Sequence, residues 1–398
     1  MARRILQPPR LRTGDAGERH ATWMELFFDL VFVVAISQLA ERLAARATAM
    51  GALAFLLLFV PVWWAWVGAT FYVDRFGADA LIDRLFLLAQ MAAGAGMAIS
   101  AGAAFGDRSA DFALSYAAFR FVLVARYGMV GRYVPEAGPF TSFIARGFAL
   151  GATLWLVSAF VPPPERFFFW GIGMVTDLAT PIAAGRLESE LPPHPRHLPE
   201  RFGLFALIVL GDAIAETVEA LHGLRLDWSD GVSALLALVL AFAFWWTYFE
   251  GMDAAAIRRT LRTGRLASYE LWIYAHLPLT VAITASGVGV RHTILAEALA
   301  ALPTADRWLI CAAVSLCFAS LGTIYLAQAS VASRRCTPRE TAALWAAAVA
   351  VLLIGTLGTR LTPLGLLTLL AAVGVFQIFV DLAGRAARSG PGRAADAS

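Results

Sequence analysis

Two pairs of carboxylates interrupt long apolar stretches of this sequence, and the members of each pair are four residues apart. Glu25 and Asp29 lie within A-T-W-M-E-L-F-F-D-L-V-F-V-V-A-I-S-Q-L-A-E-R. Asp212 and Glu216 lie in a later apolar stretch. Residues four apart share one face of a helix, and two close carboxylates in a medium of low dielectric constant resist ionising together. This chemistry suits a proton relay or a cation site, and the alternative is that the carboxylates hold helices together or pair with an arginine.

Three further ionisable residues fall inside apolar stretches. Arg120 lies near the middle of its stretch, where a charge needs a partner or water, and we expect it to be the counterion that faces Glu25 or Asp29. That contact would be a stabilising ion pair or part of an anion-attracting pore. Asp177 is another candidate for the ion or proton site. His276 could relay protons near neutral pH or bridge two helices through hydrogen bonds.

The composition is that of an integral membrane protein. Hydrophobic residues make up 59% of the 398 positions, charged residues make up 15%, and the mean hydropathy is +0.67. A helix needs about 20 apolar residues to cross a bilayer. The breaks between such runs predict an all-α, polytopic membrane helix bundle of about twelve transmembrane helices. We place these helices at residues 23–44, 50–73, 81–105, 111–133, 140–161, 166–185, 200–222, 231–251, 269–290, 306–331, 339–359 and 363–384.

Similar features recur in the two halves of the sequence, which predicts an internal repeat of two parallel six-helix units. A Trp-Trp pair occurs in each half, and each carboxylate pair lies in the first helix of its half. An even number of spans preserves orientation, so the repeats would be related by an axis along the membrane normal. The arginine distribution places both termini in the cytoplasm. The predicted segments are an Arg-rich N-terminal segment at 1–22, a first repeat at 23–185, a Pro-rich linker at 186–199, a second repeat at 200–384 and a disordered tail at 385–398.

Three stretches of the sequence are distinctive when taken together. They are T-W-M-E-L-F-F-D-L-V-F-V-V-A-I near the start, E-R-F-G-L-F-A-L-I-V-L-G-D at 200–212 and Y-E-L-W-I-Y-A-H-L-P-L at 269–279. They resemble motifs of the bacterial low temperature requirement A family of integral membrane proteins, although that family usually has Glu at the position of Asp212. The resemblance implies a bacterial cytoplasmic membrane protein. It implies no particular reaction, because the family name reports a growth phenotype. The motif residues present here are Trp23, Glu200, Arg201, Gly211, Tyr269, Glu270 and Pro278.

Titratable residues within apolar stretches favour a secondary transporter or an ion or proton pathway. The runner-up is a membrane-embedded enzyme that acts on a lipid or isoprenoid, and the third hypothesis is a structural membrane protein linked to growth in the cold. The signatures G-x-S-x-G, H-E-x-x-H and G-x-x-x-x-G-K-[ST] are absent, so we predict no catalytic residues, metal or cofactor. The expected partners are the lipid bilayer and a small ion or solute. The small net charge of +3 argues against nucleic acid.

Overall fold

Long helices form the framework of the described part of the protein. Backbone groups inside lipid find no water to bond with, and an α-helix satisfies them within a single segment. The structure is a computed structural model that describes residues 8–12, 20–77, 80–185, 187, 191, 197–222, 227–253, 256, 259–260, 265–329 and 337–389. Within these residues the long helices, in chain order, are α1 Trp23–Ala45, α2 Ala49–Arg75, α3 Leu81–Ala101, α4 Ser109–Tyr133, α5 Gly138–Ser158, α6 Glu165–Ala183, α7 His197–Leu221, α8 Trp228–Gly251, α9 Leu266–Leu295, α10 Thr304–Ala329, α11 Pro338–Leu357 and α12 Pro363–Ser389.

The predicted all-α membrane bundle is confirmed. In the described part of the chain, ten helices are long and apolar enough to cross a membrane, so this is a multi-pass membrane protein. The two other long helices are α6 and α7, whose apolar sequence is interrupted by charged residues such as Asp177 and Arg201. These two helices carry several of the residues that the sequence marks as candidates, among them Asp177, Asp212 and Glu216.

The chain divides into two compact units, and the first comprises Met1–Arg42 and Met50–Phe202. In this unit α4 packs against α3 and α5, and α5 packs against α6. A short antiparallel pair of strands, β1 Arg10–Leu11 and β2 Phe76–Gly77, attaches the N-terminal segment to the end of α2. The sequence did not predict this pairing. Aromatic and aliphatic side chains from α2, β2, α4 and α5 form a core that includes Tyr72, Phe76, Leu123, Tyr127, Val130, Phe140, Ile144 and Phe148.

The second unit comprises Leu43–Ala49 and Gly203–Ser398. Here α9 packs against α10, α10 packs against α11, and α8 and α11 both pack against α12. The start of α8 is fixed by a capping box, in which the Asp227 side chain accepts a hydrogen bond from the backbone N–H of Asp230 and the reciprocal contact is also made. A second capping box starts α11 in the same way.

The helix boundaries agree with the predicted ones to within a few residues at most positions, with two corrections. The predicted linker at 186–199 ends earlier, because α7 begins at His197. Pro199 is compatible with this start, since proline in the first turn gives up an N–H that would have no partner within the helix. The predicted tail begins later, because α12 continues to Ser389. Residues 186, 188–190 and 192–196 of the linker and residues 390–398 of the tail lie outside the described residues.

Candidate functional site

The first carboxylate pair lies in the interior of the first unit. The start of α1 is fixed by Thr22, whose Oγ1 accepts a hydrogen bond from the backbone N–H of Glu25 at 3.3 Å. Glu25 is 5% exposed and Asp29, one turn later, is fully buried. The helix therefore presents two carboxylates on one inward face, as their spacing predicts.

Asp29 is held by a two-pronged contact from Arg201 in the first turns of α7. Nη1 of Arg201 donates to Oδ2 at 2.8 Å, and Nη2 donates to Oδ1 at 2.7 Å. The indole Nε1 of Trp66 on α2 also donates to Oδ1, at 2.8 Å. Two parallel N–H···O bonds fix orientation as well as charge. Because Nε of Arg201 also lies 3.8 Å from Oε2 of Glu25, one guanidinium approaches both carboxylates of the pair.

His197 connects Glu25 to Asp74 at the end of α2, and we call these three residues the histidine bridge. Nε2 of His197 lies 2.7 Å from Oε2 of Glu25, and Nδ1 lies 2.8 Å from Oδ1 of Asp74. His197 and Asp74 are fully buried. Two hydrogen bonds require two protons, so either both lie on the imidazole, or one lies on the imidazole and the other on one of the two carboxyl groups. The bridge can therefore hold its protons in three arrangements.

Matching helical spacings explain why these contacts form together. Glu25 and Asp29 are one turn apart on α1, and His197 and Arg201 are one turn apart on α7. His197 meets the first carboxylate while Arg201 grips the second. The two helix faces are thus complementary in charge and in register.

An open cavity of about 570 Å³ adjoins the histidine bridge, and we call it the α1 cavity. It lies where α1 and α3 begin and where α2 ends, within the first unit. Glu25 belongs to its wall, so one end of the bridge borders a space large enough for a small molecule. The lining residues are Arg12, Thr22, Trp23, Met24, Glu25, Phe27, Val73, Phe76, Gly77, Asp83, Arg84, Leu87 and Arg126.

Arg120 is a counterion, but the expectation that it faces Glu25 or Asp29 is wrong. Its Nη2 donates to Oδ1 of Asp177 at 2.8 Å, and both side chains are fully buried. Tyr116 donates to the other carboxylate oxygen at 2.7 Å. Arg120 projects from α4 toward α6, whereas the carboxylates of α1 already have Arg201. This second polar cluster joins two candidates that the sequence alone could not pair.

The second carboxylate pair belongs to the second unit. Glu216 is 6% exposed and accepts a hydrogen bond from Nη1 of Arg291 on α9 at 3.0 Å. Asp212 lies one turn earlier on α7 and is half-buried. Glu216 thus has an arginine partner, as Asp29 does, and its role as an ion or proton site stays a prediction.

His276 has the contacts of a bridge between helices. Its Nδ1 lies 2.7 Å from the carbonyl oxygen of Trp272, one turn earlier on α9, and its Nε2 lies 3.0 Å from the hydroxyl of Tyr248 on α8. A carbonyl only accepts, so Nδ1 carries the proton, and Nε2 of the neutral ring accepts from the tyrosine. These contacts match the hydrogen-bonded alternative, while the relay role stays a prediction.

The motif residues occupy varied positions. Arg201 is central to the contacts with Asp29, and Trp23 lines the α1 cavity. Oε1 of Glu200 accepts a hydrogen bond from the backbone N–H of Ala21 at 3.4 Å. In the second unit, Gly211 is exposed, Tyr269 is buried, Glu270 is half-buried and Pro278 lies within α9.

Three residues of the site are not predicted from the sequence. His197 falls within the predicted linker at 186–199, Asp74 lies at the end of an otherwise apolar helix, and Trp66 lies inside an apolar stretch. One signal was available: His197 precedes Arg201 by four residues, the same spacing as the carboxylates of α1. Within the described residues, no group of His, Cys, Asp and Glu side chains is arranged to hold a metal ion.

Comparison with known proteins agrees with the motifs. The family described as bacterial low temperature requirement A protein (LtrA) matches residues 20–377. An uncharacterised protein of Rhizobium meliloti (strain 1021) is 29% identical over 299 residues, which cover 70% of this chain and 71% of the relative. The family match includes all three residues of the histidine bridge, which come from α1, α2 and α7. The chain therefore belongs to the bacterial low temperature requirement A family of membrane proteins.

Proposed function

We propose that this protein is a secondary transporter or a proton pathway, and that the histidine bridge carries its proton. The observation that supports the proposal is a fully buried histidine held between two carboxylates in a multi-pass membrane protein. Ionisable groups are costly inside a membrane and typically mark proton or ion routes. A histidine can accept a proton on one ring nitrogen and release one from the other.

The bridge permits proton transfer over hydrogen-bond distances. In one arrangement, a protonated Glu25 donates to Nε2 of His197, while Nδ1–H donates to an ionised Asp74. Transfer of the first proton to Nε2 and of the second from Nδ1 to Asp74 leaves Glu25 ionised and Asp74 protonated. One proton has then crossed the bridge, and the contact distances are 2.7 and 2.8 Å.

Arg201 and Asp29 would hold the bridge in place. An ionised Glu25 in a low-dielectric interior needs a nearby positive charge, and Nε of Arg201 is 3.8 Å away. The two-pronged contact with Asp29 and the bond from Trp66 fix the guanidinium in that position. In this interpretation Asp29 positions Arg201 and does not itself carry the proton.

The proposal includes the finer predictions drawn from the sequence. The two parallel six-helix repeats would place Asp212 and Glu216 in the helix that corresponds to α1, with Asp177 and His276 as further candidate groups. The chain would lie in the bacterial cytoplasmic membrane with both termini in the cytoplasm, as its arginine distribution favours. Its partners would be the bilayer and a small ion or solute.

Proton flux into proteoliposomes that carry the full chain tests the proposal. An imposed pH gradient drives the flux, valinomycin and K⁺ clamp the voltage, and an enclosed dye reports the pH. Measurements with and without a mixture of amino acids, sugars and organic acids cover both a coupled transporter and a simple proton pathway. We expect flux above that of empty liposomes. In His197→Gln it should fall about tenfold or more, because an amide does not exchange protons as an imidazole does.

His292→Gln is the matched control. His292 also faces a carboxylate, with Nδ1 2.8 Å from Oδ1 of Asp306, but it lies in the second unit and is partly exposed. It should keep wild-type flux, whereas Glu25→Gln should lose flux at normal folded yield. Wild-type flux in well-folded His197→Gln and Glu25→Gln would remove the histidine bridge from the pathway. Absence of wild-type flux under both conditions would contradict transport and favour the lipid-enzyme or structural hypothesis.

A further inference from the structure

Arg126 of α4 is a buried guanidinium in the wall of the α1 cavity. It is 2% exposed, its Nη1 donates to Oε1 of Gln90 at 2.7 Å, and its Cζ lies 4.1 Å from the centre of the Tyr72 ring. In the part of the chain that the structure describes, its Nε has no hydrogen-bond acceptor and no carboxylate forms an ion pair with it. The amide dipole and the ring face offset only part of the cost of burying a cation. The position therefore favours a negatively charged ligand.

The charges on the cavity wall also favour an anion. Guanidinium groups come from Arg12, Arg84 and Arg126, and carboxylates come from Glu25 and Asp83. The described wall thus carries one more positive than negative charge when every one of these groups is ionised. The excess becomes larger if Glu25 holds a proton.

We propose that the α1 cavity binds a small organic anion, with a carboxylate or phosphate oxygen at Arg126. A guanidinium presents several N–H donors in a plane, which suits such oxyanions. The volume of about 570 Å³ fits a small organic molecule. This inference rests on the proposed function, in which the anion would be the transported solute. The apolar part of the ligand would lie against Trp23, Phe27, Val73, Phe76 and Leu87.

Glu25 would couple the anion to the proton. It lines the cavity and also contacts His197 at 2.7 Å, with Arg201 3.8 Å away on the same helix as His197. An ionised Glu25 repels an anion in the cavity, while a protonated Glu25 does not. Anion binding and protonation of Glu25 therefore favour each other, and thermodynamic linkage makes the effect reciprocal. The anion is expected to bind together with a proton.

Isothermal titration calorimetry tests this inference on the full chain in phosphatidylcholine nanodiscs. The probes are benzoate, acetate and inorganic phosphate, and benzamide serves as the neutral analogue of benzoate. We expect at least one of the anions to bind and benzamide to bind at least about tenfold more weakly than benzoate, because it lacks the charge. Titrations in two buffers with different ionisation enthalpies should reveal net proton uptake on anion binding.

Two arginine variants separate the site from general charge effects. Arg126→Gln should weaken anion binding about tenfold or more, because a charge-assisted pair of hydrogen bonds is lost. Arg146→Gln removes an exposed arginine of α5 in the same unit and should leave the affinity unchanged. If Arg126→Gln does not fold, Arg126→Lys keeps the charge but loses the planar donor set, and binding should weaken several-fold.

Each outcome decides a separate point. Binding of none of the three anions, or equal affinity in wild type and the Arg126 variants, would overturn the anion site. If the natural ligand is a soluble anion, adding phosphatidylglycerol to the nanodiscs should leave the affinity for benzoate unchanged. If phosphatidylglycerol competes with benzoate and the competition requires Arg126, the natural anion is a lipid headgroup. Arg126-dependent binding without proton flux in proteoliposomes would keep the anion site and reject transport. Proton flux without Arg126-dependent binding would keep the transport proposal and reject the anion site.

Discussion

Removing one member of the Arg120–Asp177 ion pair is expected to destabilise the protein more than removing both. The pair is fully buried, with Nη2 2.8 Å from Oδ1. Arg120 Cζ also lies 3.9 Å from the centre of the Phe148 ring, and a Cβ added at Gly68 would be 2.8 Å from Nη1. The guanidinium therefore has little room to turn toward water when its partner is removed.

The geometry sets the size of the effect. At 2.8 Å and an effective dielectric constant of about 20, the attraction between two unit charges is about 6 kcal/mol, and the cost of removing both charges from water offsets much of it. Arg120→Leu or Asp177→Leu alone should cost about 3–5 kcal/mol, because each leaves one buried charge uncompensated. The double variant should recover most of that loss, since two well-packed leucines bury no charge.

Thermal unfolding of the detergent-solubilised protein, followed by tryptophan fluorescence, measures this cycle. The double variant leaves the Tyr116 hydroxyl without its carboxylate acceptor, so a triple variant that adds Tyr116→Phe should be at least as stable as the double. Arg146→Leu replaces an exposed arginine of α5 and should change stability by less than about 0.5 kcal/mol. A double variant no more stable than the worse single variant would refute the reasoning.

Two further variants test close approach and the role of a buried histidine. Gly151→Ala should destabilise the protein by about 1–3 kcal/mol, because a Cβ there would lie 2.6 Å from an oxygen of the buried carboxylate on α6; Gly171→Ala, with open space around its Cβ, should not lower the unfolding temperature. Tyr248→Phe should lower stability by about 1–3 kcal/mol, because the buried Nε2 of His276 loses its donor. Loss of proton flux in a stable Tyr248→Phe variant would instead make this histidine part of the pathway.

The helices could be predicted from the sequence because the signal is local and strong. Apolar runs of about 20 residues separated by charges mark each span with little dependence on the rest of the chain. Helix ends were less certain where the flanking residues are ambiguous. Arg385, for example, falls within the predicted disordered tail, yet it lies in α12 and pairs with Glu250 of α8 and Asp381 of its own helix. Partners far away in sequence stabilise that end, and no local pattern reveals them.

Pairing across helices could not be predicted for the same reason. The sequence marks Arg120 as a charge that needs a partner, but several carboxylates lie at comparable depth in predicted helices. Which of them it meets depends on helix rotation and on glycines that permit close approach, such as Gly68. Arg120 does pair with a carboxylate, as its position in an apolar stretch predicts. Tertiary packing makes that carboxylate Asp177 and not Glu25 or Asp29.

The Pro-rich sequence before α7 concealed the residue that gives the site its chemistry. A proline-rich stretch is typical of a linker. Proline is also compatible with the first turn of a helix, so the helix can begin before Pro199. Once His197 is helical, its spacing from Arg201 matches that of Glu25 and Asp29, and each member of one pair meets a member of the other. The two carboxylates of α1 then differ in role although they share a face. Asp29 is engaged by Arg201 and Trp66, while Glu25 borders the α1 cavity on one side and His197 on the other. Of the two carboxylates, only Glu25 therefore connects this cavity with the buried histidine.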